Sequence, residues 1–262
     1  MTREAARRRP GVGPRRRAPG AGTGSGGRTG MRAVAVVPAG GSGQRMAASR
    51  PKQFLALDGV PLLVATLRAL LRHRAVAGVV VAAPAARLDW TRRLLRRHRV
   101  PRVLAVVAGG AERQESVWRG LQAIPSDAGL VVVHDGVRPF VDARLVEAVL
   151  AAARRVGAAV CALEARETVK RVRGGLVEAT VDRQGLWLVQ TPQAFRRELL
   201  LEAHDKARRD GFVGTDDAVL VERLGAPVAV VPGLGHNVKI TTPADLRLAR
   251  RLAAGRGGRR RP

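Results

Sequence analysis

The chain has 262 residues, 46% of them apolar, with four Phe, three Trp and no Tyr. That is ample for a sizeable core in one large domain or two small ones, and too few aromatics for a surface that stacks bases along single-stranded nucleic acid. A net charge of +26 attracts polyanions, whether nucleic acid or a triphosphate, without choosing between them.

Much of that charge sits at the ends. Residues 1–30 contain eight Arg against one Glu and a Gly-rich stretch at 20–30, and residues 255–262 add four more Arg. Neither segment has much to bury, so both are expected to be disordered tails. The intervening residues still carry a net +15. The N-terminal stretch lacks the apolar core of a secretory signal, and its Gly and Pro content argues against an amphipathic transit helix. The lone Cys161 cannot form an intramolecular disulfide. No run approaches the roughly 20 apolar residues of a spanning helix. A soluble, cytoplasmic protein without membrane contact is the expectation.

From Met31 onward the pattern alternates between strand and helix, predicting an α/β fold with a mostly parallel sheet covered on both faces. A strand over 32–37 runs into a Gly-rich loop, and a helix follows at about 61–73 with Pro61 at its start. A strand over 78–83 precedes an amphipathic helix near 85–98. The strand over 102–107 ends at Gly109-Gly110, and a helix at 113–123 leads to a strand over 130–134. Another helix spans 142–155 with Asp142 near its cap. Residues 158–191 read differently: two strand-like runs about a Gly174-Gly175 turn predict a β-hairpin excursion. Three helices are predicted to close the chain. One lies near 193–209, one at 216–224 with Thr215 as N-cap, and one at 243–253 with Thr242 as N-cap and Pro243 in its first turn.

Two places carry chemistry. The first strand empties into Pro38, Ala39, Gly40, Gly41, Ser42, Gly43, Gln44, Arg45 and Met46, with Lys52 shortly after. Three glycines in four residues let backbone N–H groups approach phosphate oxygens. The loop lacks the terminal Gly-Lys-Ser/Thr of a Walker loop and the third glycine of a dinucleotide fingerprint. A Gly-rich loop followed by Arg45 and Lys52 suits a triphosphate attacked at its α-phosphorus, where fixed positive charge stabilises transition state and leaving pyrophosphate. An ordinary Gly-rich turn with solvated cations would leave the same trace in the sequence.

The second place is His134-Asp135-Gly136-Val137-Arg138-Pro139, at the end of a predicted buried strand. Ligands of open α/β sheets sit outside the carboxyl ends of strands, so Asp135 is placed to hold Mg²⁺, which takes one or two carboxylates plus phosphate oxygens. An Asp that caps the next turn and pairs with Arg138 is the alternative. No Ser/His/Asp arrangement and no metal-ligand spacing surrounds any of the five histidines, so His134 reads as a packed strand-end residue.

Taken together, these blocks resemble the 2-C-methyl-D-erythritol 4-phosphate cytidylyltransferases of the non-mevalonate isoprenoid pathway, the IspD family. The resemblance runs from about Arg32 to Leu252. Beside the two places above, it rests on Gly109-Gly110 with Glu112-Arg113 and Ser116-Val117, and on Glu167-Thr168-Val169-Lys170. It continues through Val181-Asp182-Arg183, Gly185-Leu186-Trp187, Thr191-Pro192-Gln193, Thr215-Asp216-Asp217-Ala218 and Asn237-Val238-Lys239-Ile240-Thr241. It implies a single Rossmann-like nucleotidyltransferase domain over 31–254 with a β-hairpin dimerisation arm at about 164–186. CTP would be wrapped by Ala39, Gly40, Gly41, Ser42 and Gly43 and contacted by Gly110 and Ser116. Arg45 and Lys52 would stabilise the transition state. Asp135 would engage Mg²⁺ and substrate, and Arg138, Arg183, Thr191, Thr215 and Lys239 would seat the acceptor phosphate. The arm would exchange across a homodimer, so that Arg183, and with it Thr191, would serve the neighbour's site.

The chain departs from the family pattern at Gly40, Ala111, Gly136-Val137, Glu167 and His236, none of which removes a charged catalytic group. The acceptor's phosphate is already an anionic nucleophile, so the implied reaction needs positioning and electrostatics rather than a general base. A cytidylyltransferase for another polyol phosphate, such as ribitol 5-phosphate, is the nearest rival reading. A nucleic-acid-binding protein working through its Arg tails is a more distant one.

Overall fold

A computed structural model describes residues 31–40 and 52–257. Seven strands form one sheet. In chain order these are β1 (Ala33–Pro38), β4 (Val76–Ala83), β5 (Val103–Ala108), β6 (Leu130–Val133), β7 (Ala158–Glu164), β10 (Trp187–Arg196) and β11 (Ala229–Pro232). Two small ribbons account for the rest: β2 (Ala56–Leu57) with β3 (Val60–Pro61), and β8 (Val169–Arg173) with β9 (Leu176–Val181). The helices are α1 (Leu62–Leu70), α2 (Leu88–Arg97), α3 (Arg113–Leu121), α4 (Ala143–Val156), α5 (Arg197–Arg209), α6 (Ala218–Glu222) and α7 (Pro243–Gly257).

Across the main sheet the order is β11-β7-β10-β6-β1-β4-β5, every pairing parallel except those of β10 with β6 and β7. Alternation along each strand sorts side chains between two cores. Ala33, Ala35 and Val37 of β1 pack with α1 and α4 on one face, while Val34 and Val36 pack with α3 and α5 on the other. Burial on both faces explains why the central strands read as unbroken apolar runs. Cys161 belongs to the first core, where burial pushes its thiol up to about 12; it is inert at neutral pH.

The helix before β6 (α3) and the helix after β1 (α1) lie on opposite faces of the sheet. The carboxyl ends of β1 and β6 therefore open a crevice at a topological switch point, where α/β sheets bind ligands.

Two expectations need correction, and one strand had no counterpart among them. Residues 193–196 are strand, not helix: Gln193, Ala194 and Phe195 pair with Val133, Val132 and Val131. Gln193, Ala194 and Phe195 are buried in succession, Phe195 fully, so tertiary burial overrides the helical pattern that begins at Arg197. Thr215 does not cap the next helix; Asp216 Oδ1 accepts from Val219 N at 3.1 Å instead, and α6 is only five residues long. Finally, the edge strand β11, framed by Pro227 and Pro232, escaped the sequence pattern.

The hairpin β8–β9 does form, with Gly174 and Gly175 at φ of 55° and 83° in its turn. Two consecutive left-handed residues are what a tight two-residue hairpin loop requires. No helix among the described residues is long and apolar enough to cross a membrane.

Candidate active site

Two cavities meet at the crevice. The first, about 370 Å³, is lined by Ala39 and Gly40 from the end of β1, by Lys52, by Gly110 and Ser116 at the start of α3, and by Asp135. The second, about 390 Å³, is bounded by Arg138, Thr191, Thr215 and Asp216. Arg113, Asp135 and Lys239 line both.

The first cavity is shaped by short polar ties. Gln53 Nε2 donates to the Ala39 carbonyl at 2.6 Å, which fixes the exit of β1 to the turn that carries Lys52. Ser116 Oγ accepts from Gly110 N at 3.0 Å and donates to Glu112 O at 3.1 Å. That closes the loop between β5 and α3. A side chain at Gly110 would collide with the Glu115 carboxylate, 2.2 Å from where a Cβ would stand. The departure at Gly136 also has a steric account, since a Cβ there would meet Pro38 O at 3.2 Å and Leu63 Cδ1 at 3.3 Å.

Asp135 is the electrostatic centre. Its Oδ1 lies 3.2 Å from Arg113 Nε, and its Oδ2 lies 3.3 Å from Arg138 Nε and 3.0 Å from Lys239 Nζ. Burial alone would raise its pKa, but Arg113, Lys239 and Arg138 outweigh burial and hold the carboxyl far below the usual range. For Arg113, too, burial works against the charge, and the Asp217 and Asp135 carboxylates overcome it and raise its pKa. Among the described residues of this node, three cations face two carboxylates. One positive charge is left over, and an anionic ligand can neutralise it.

Lys239 reaches Asp135 because its segment is tied down. Arg138 NH1 donates to Asn237 O at 2.7 Å, Asn237 Nδ2 donates to Thr191 O at 2.8 Å, and Ile240 N donates to Val137 O at 3.0 Å.

His134 is fully buried and bonded at both ring nitrogens. Thr191 Oγ1 accepts from Asp135 N at 3.0 Å and lies 3.1 Å from His134 Nδ1, while His134 Nε2 lies 3.1 Å from Arg138 O. The residue therefore braces β6 against β10. Burial pushes its pKa down to about 4, against about 6.5 in an unfolded chain. The unfolded chain takes up that proton first, so this contribution to stability is complete above pH 6.5 and is lost as pH falls from 6.5 to 4. It amounts to about 3 kcal/mol. In urea unfolding followed across that window, His134→Gln is expected to flatten the pH slope; an unchanged slope would assign it to other groups.

The sequence-predicted residues divide as follows. Ala39, Gly40, Lys52, Gly110, Ser116 and Asp135 share the first cavity, and Asp135, Arg138, Thr191, Thr215 and Lys239 share the second. Thr191 thus lines the second cavity of its own chain. Arg183 lines neither; it is exposed and its guanidinium bonds the Arg166 carbonyl within the hairpin region. Gly41, Ser42, Gly43 and Arg45 lie outside the described residues. Arg113 at the shared wall, Gln53, and the buried pair Asp217 and His204 had no role assigned from sequence. Arg113 and Asp217 fell inside recognised blocks, and that was their only signal.

Comparisons with known proteins give the family. The family model for 2-C-methyl-D-erythritol 4-phosphate cytidylyltransferase matches residues 33–254. The enzyme of that name from Syntrophus aciditrophicus is 46% identical over 228 residues, covering 86% of this chain and 97% of the relative. The crystal structure of the Thermus thermophilus enzyme of the same name superposes with a TM-score of 0.71 at 42% identity, covering 84% of this chain and 98% of that one. A 4-diphosphocytidyl-2C-methyl-D-erythritol synthase structure from Anaerococcus prevotii superposes with a TM-score of 0.74 at 29% identity, covering 85% and 98%. Matched over nearly all of its length outside the Arg-rich ends, with two cavities joined at one buried carboxylate, this chain belongs to the 2-C-methyl-D-erythritol 4-phosphate cytidylyltransferase family.

Proposed function

We propose that the protein transfers CMP from CTP to 2-C-methyl-D-erythritol 4-phosphate, giving 4-diphosphocytidyl-2-C-methyl-D-erythritol and pyrophosphate in isoprenoid precursor synthesis. The observation that carries this reading is the pair of adjoining cavities with Arg113, Asp135 and Lys239 in their common wall. A nucleotide in the first and an acceptor phosphate in the second would bring nucleophile and α-phosphorus together there.

An acceptor phosphate oxygen bonds to the α-phosphorus as the α–β phosphoanhydride bond breaks, and pyrophosphate leaves with the electron pair. Lys52, beside the exit of β1, supplies fixed positive charge to the nucleotide phosphates. Arg138, Thr191, Thr215 and Lys239 hold the acceptor phosphate. Asp135 keeps the cations in place without taking a proton, since its carboxyl remains ionised at any working pH. Most of the catalysis is positioning and preorganised charge.

A divalent cation belongs to this scheme as a companion of the triphosphate. Among the described residues no group of three or more His, Cys, Asp or Glu could cage a metal. Asp135 lies between the cavities, but both its oxygens already face Arg113, Arg138 and Lys239, so the cation would take phosphate oxygens and waters as its main ligands, which is the habit of Mg²⁺. Asp135 would at most add one oxygen, in exchange for one of those cations, and the ion would neutralise phosphate charge.

The exposed hairpin supports a homodimer. Val172, Leu176 and Val177 on its strands and Leu188 beside it are more than half exposed, an apolar surface that suits a second copy of the chain. A CTP-consuming reaction and a single buried thiol suit the cytoplasm. Pyrophosphate release from CTP tests the activity. It is expected only when methylerythritol phosphate is present, and faster turnover with ribitol 5-phosphate would move the assignment to that acceptor.

A further inference from the structure

Arg113 does not stand alone in the wall between the cavities. Its Nε reaches Asp135 Oδ1 at 3.2 Å, and its NH1 reaches Asp217 Oδ2 at 2.6 Å. Asp217 is shielded from solvent and receives a second contact on its other oxygen, from His204 Nε2 at 3.1 Å. His204, on α5, is itself fully buried. Its Nδ1 has no hydrogen-bond partner among the described residues. An unfilled lone pair costs less in that position than an orphaned N–H, so Nε2 carries the ring hydrogen and donates to Asp217.

The outcome is a chain of contacts from α5 to the carboxylate shared by both cavities: His204, Asp217, Arg113, Asp135. We propose that His204 and Asp217 are positioning residues for the transfer reaction, anchoring one arm of the Arg113 guanidinium so that its other arm holds Asp135 between nucleotide and acceptor. The proposal rests on the activity proposed above.

Three features favour a positioning role over simple packing. The neighbouring carboxylate, Asp216, is used differently: its Oδ2 accepts from Gln193 Nε2 at 2.7 Å and its Oδ1 from Val219 N. Asp216 therefore ties the start of α6 to β10, while Asp217 faces Arg113. Second, both oxygens of Asp217 are occupied by side chains of other elements, α3 and α5, which fixes its rotamer. Third, Arg113 keeps 27% of its side chain exposed, against 10% for Arg138 on the same carboxylate. An arginine at a cavity wall with one arm untethered would swing toward whichever phosphate is nearer and release Asp135.

The test is a double-mutant cycle read in kinetics. His204→Phe keeps the ring volume and removes the donor; it is expected to lower kcat/KM for the acceptor about tenfold while KM for CTP changes less than about twofold. His204→Gln, whose Nε2 reaches the position of the imidazole Nε2, is expected to recover activity to within about threefold of wild type. In an Arg113→Gln background, His204→Phe is expected to add no further loss, because the residue acts through Arg113. Asp217→Asn, nearly isosteric, should reproduce the His204→Phe loss and keeps the question answerable if the Phe variant does not fold. Wild-type constants in both Phe and Asn variants would overturn the proposal, and so would full additivity with Arg113→Gln. A wild-type protein that releases no pyrophosphate with this acceptor would instead overturn the assigned reaction.

Discussion

Lys52→Ala is expected to lower kcat by at least ~10², about 2.7 kcal/mol of transition-state stabilisation, which is the scale of removing one preorganised charge. The fold should not notice. Lys52 opens a short 3₁₀ turn, Lys52–Phe54, whose place is set by its two neighbours. Gln53 is buried and donates to Ala39 O, and Phe54 is buried edge-on against Trp90 with ring centroids 4.4 Å apart. Both anchors survive the substitution. A melting temperature within a few degrees of wild type, together with the loss in kcat, would assign the effect to charge. If turnover stays near normal, Lys52 has no part in the transition state. Gln53→Ala, by contrast, should disturb stability as well as rate, because it removes a buried side chain and the donor to the Ala39 carbonyl.

The parts of this molecule that were legible in the sequence are those whose physics is local. β1, β4 and β6 are buried on both faces, so each appears as a continuous run dominated by Val and Ala with no polar side chain. Asp142 announces α4, and its carboxylate does accept from Leu145 N at 2.8 Å. Ala39, Gly40 and Asp135 could be singled out because the carboxyl ends of parallel strands are where such folds bind ligands. What was not legible depends on distance along the chain. The stretch from Gln193 to Arg196 runs into a helical pattern without a break, and only its insertion between β6 and β7 makes it strand. Arg113 meets Asp135 across 22 residues and Asp217 across 104. No spacing rule connects them. The same holds for Asn237, whose side chain spans 46 residues to hold the Thr191 carbonyl and so presents Lys239.

Arg183→Ala is expected to raise KM for the acceptor well above the wild-type value while leaving KM for CTP nearly unchanged, and its partner in the test is Lys52→Ala. Within one chain Arg183 lines neither cavity and bonds to the backbone of Arg166 near the base of the hairpin. The family resemblance nonetheless assigns it to the acceptor phosphate. Those two statements are compatible if the hairpin of one chain reaches the cavity of another, with Leu176, Val177 and Leu188 covered in the exchange. Each active site would then draw Lys52 from one protomer and Arg183 from its partner. Mixing the Arg183→Ala and Lys52→Ala homodimers under subunit exchange creates heterodimers in which one site carries both lesions and the other carries neither. Each heterodimer therefore regains one intact site in two, and the mixture should recover activity in proportion to the heterodimer present by native mass spectrometry. If both groups instead came from the same chain, every site in the heterodimer would keep one lesion. Heterodimer formed without recovered turnover would place Arg183 outside the partner's site, and the reach of the hairpin would have to serve assembly alone.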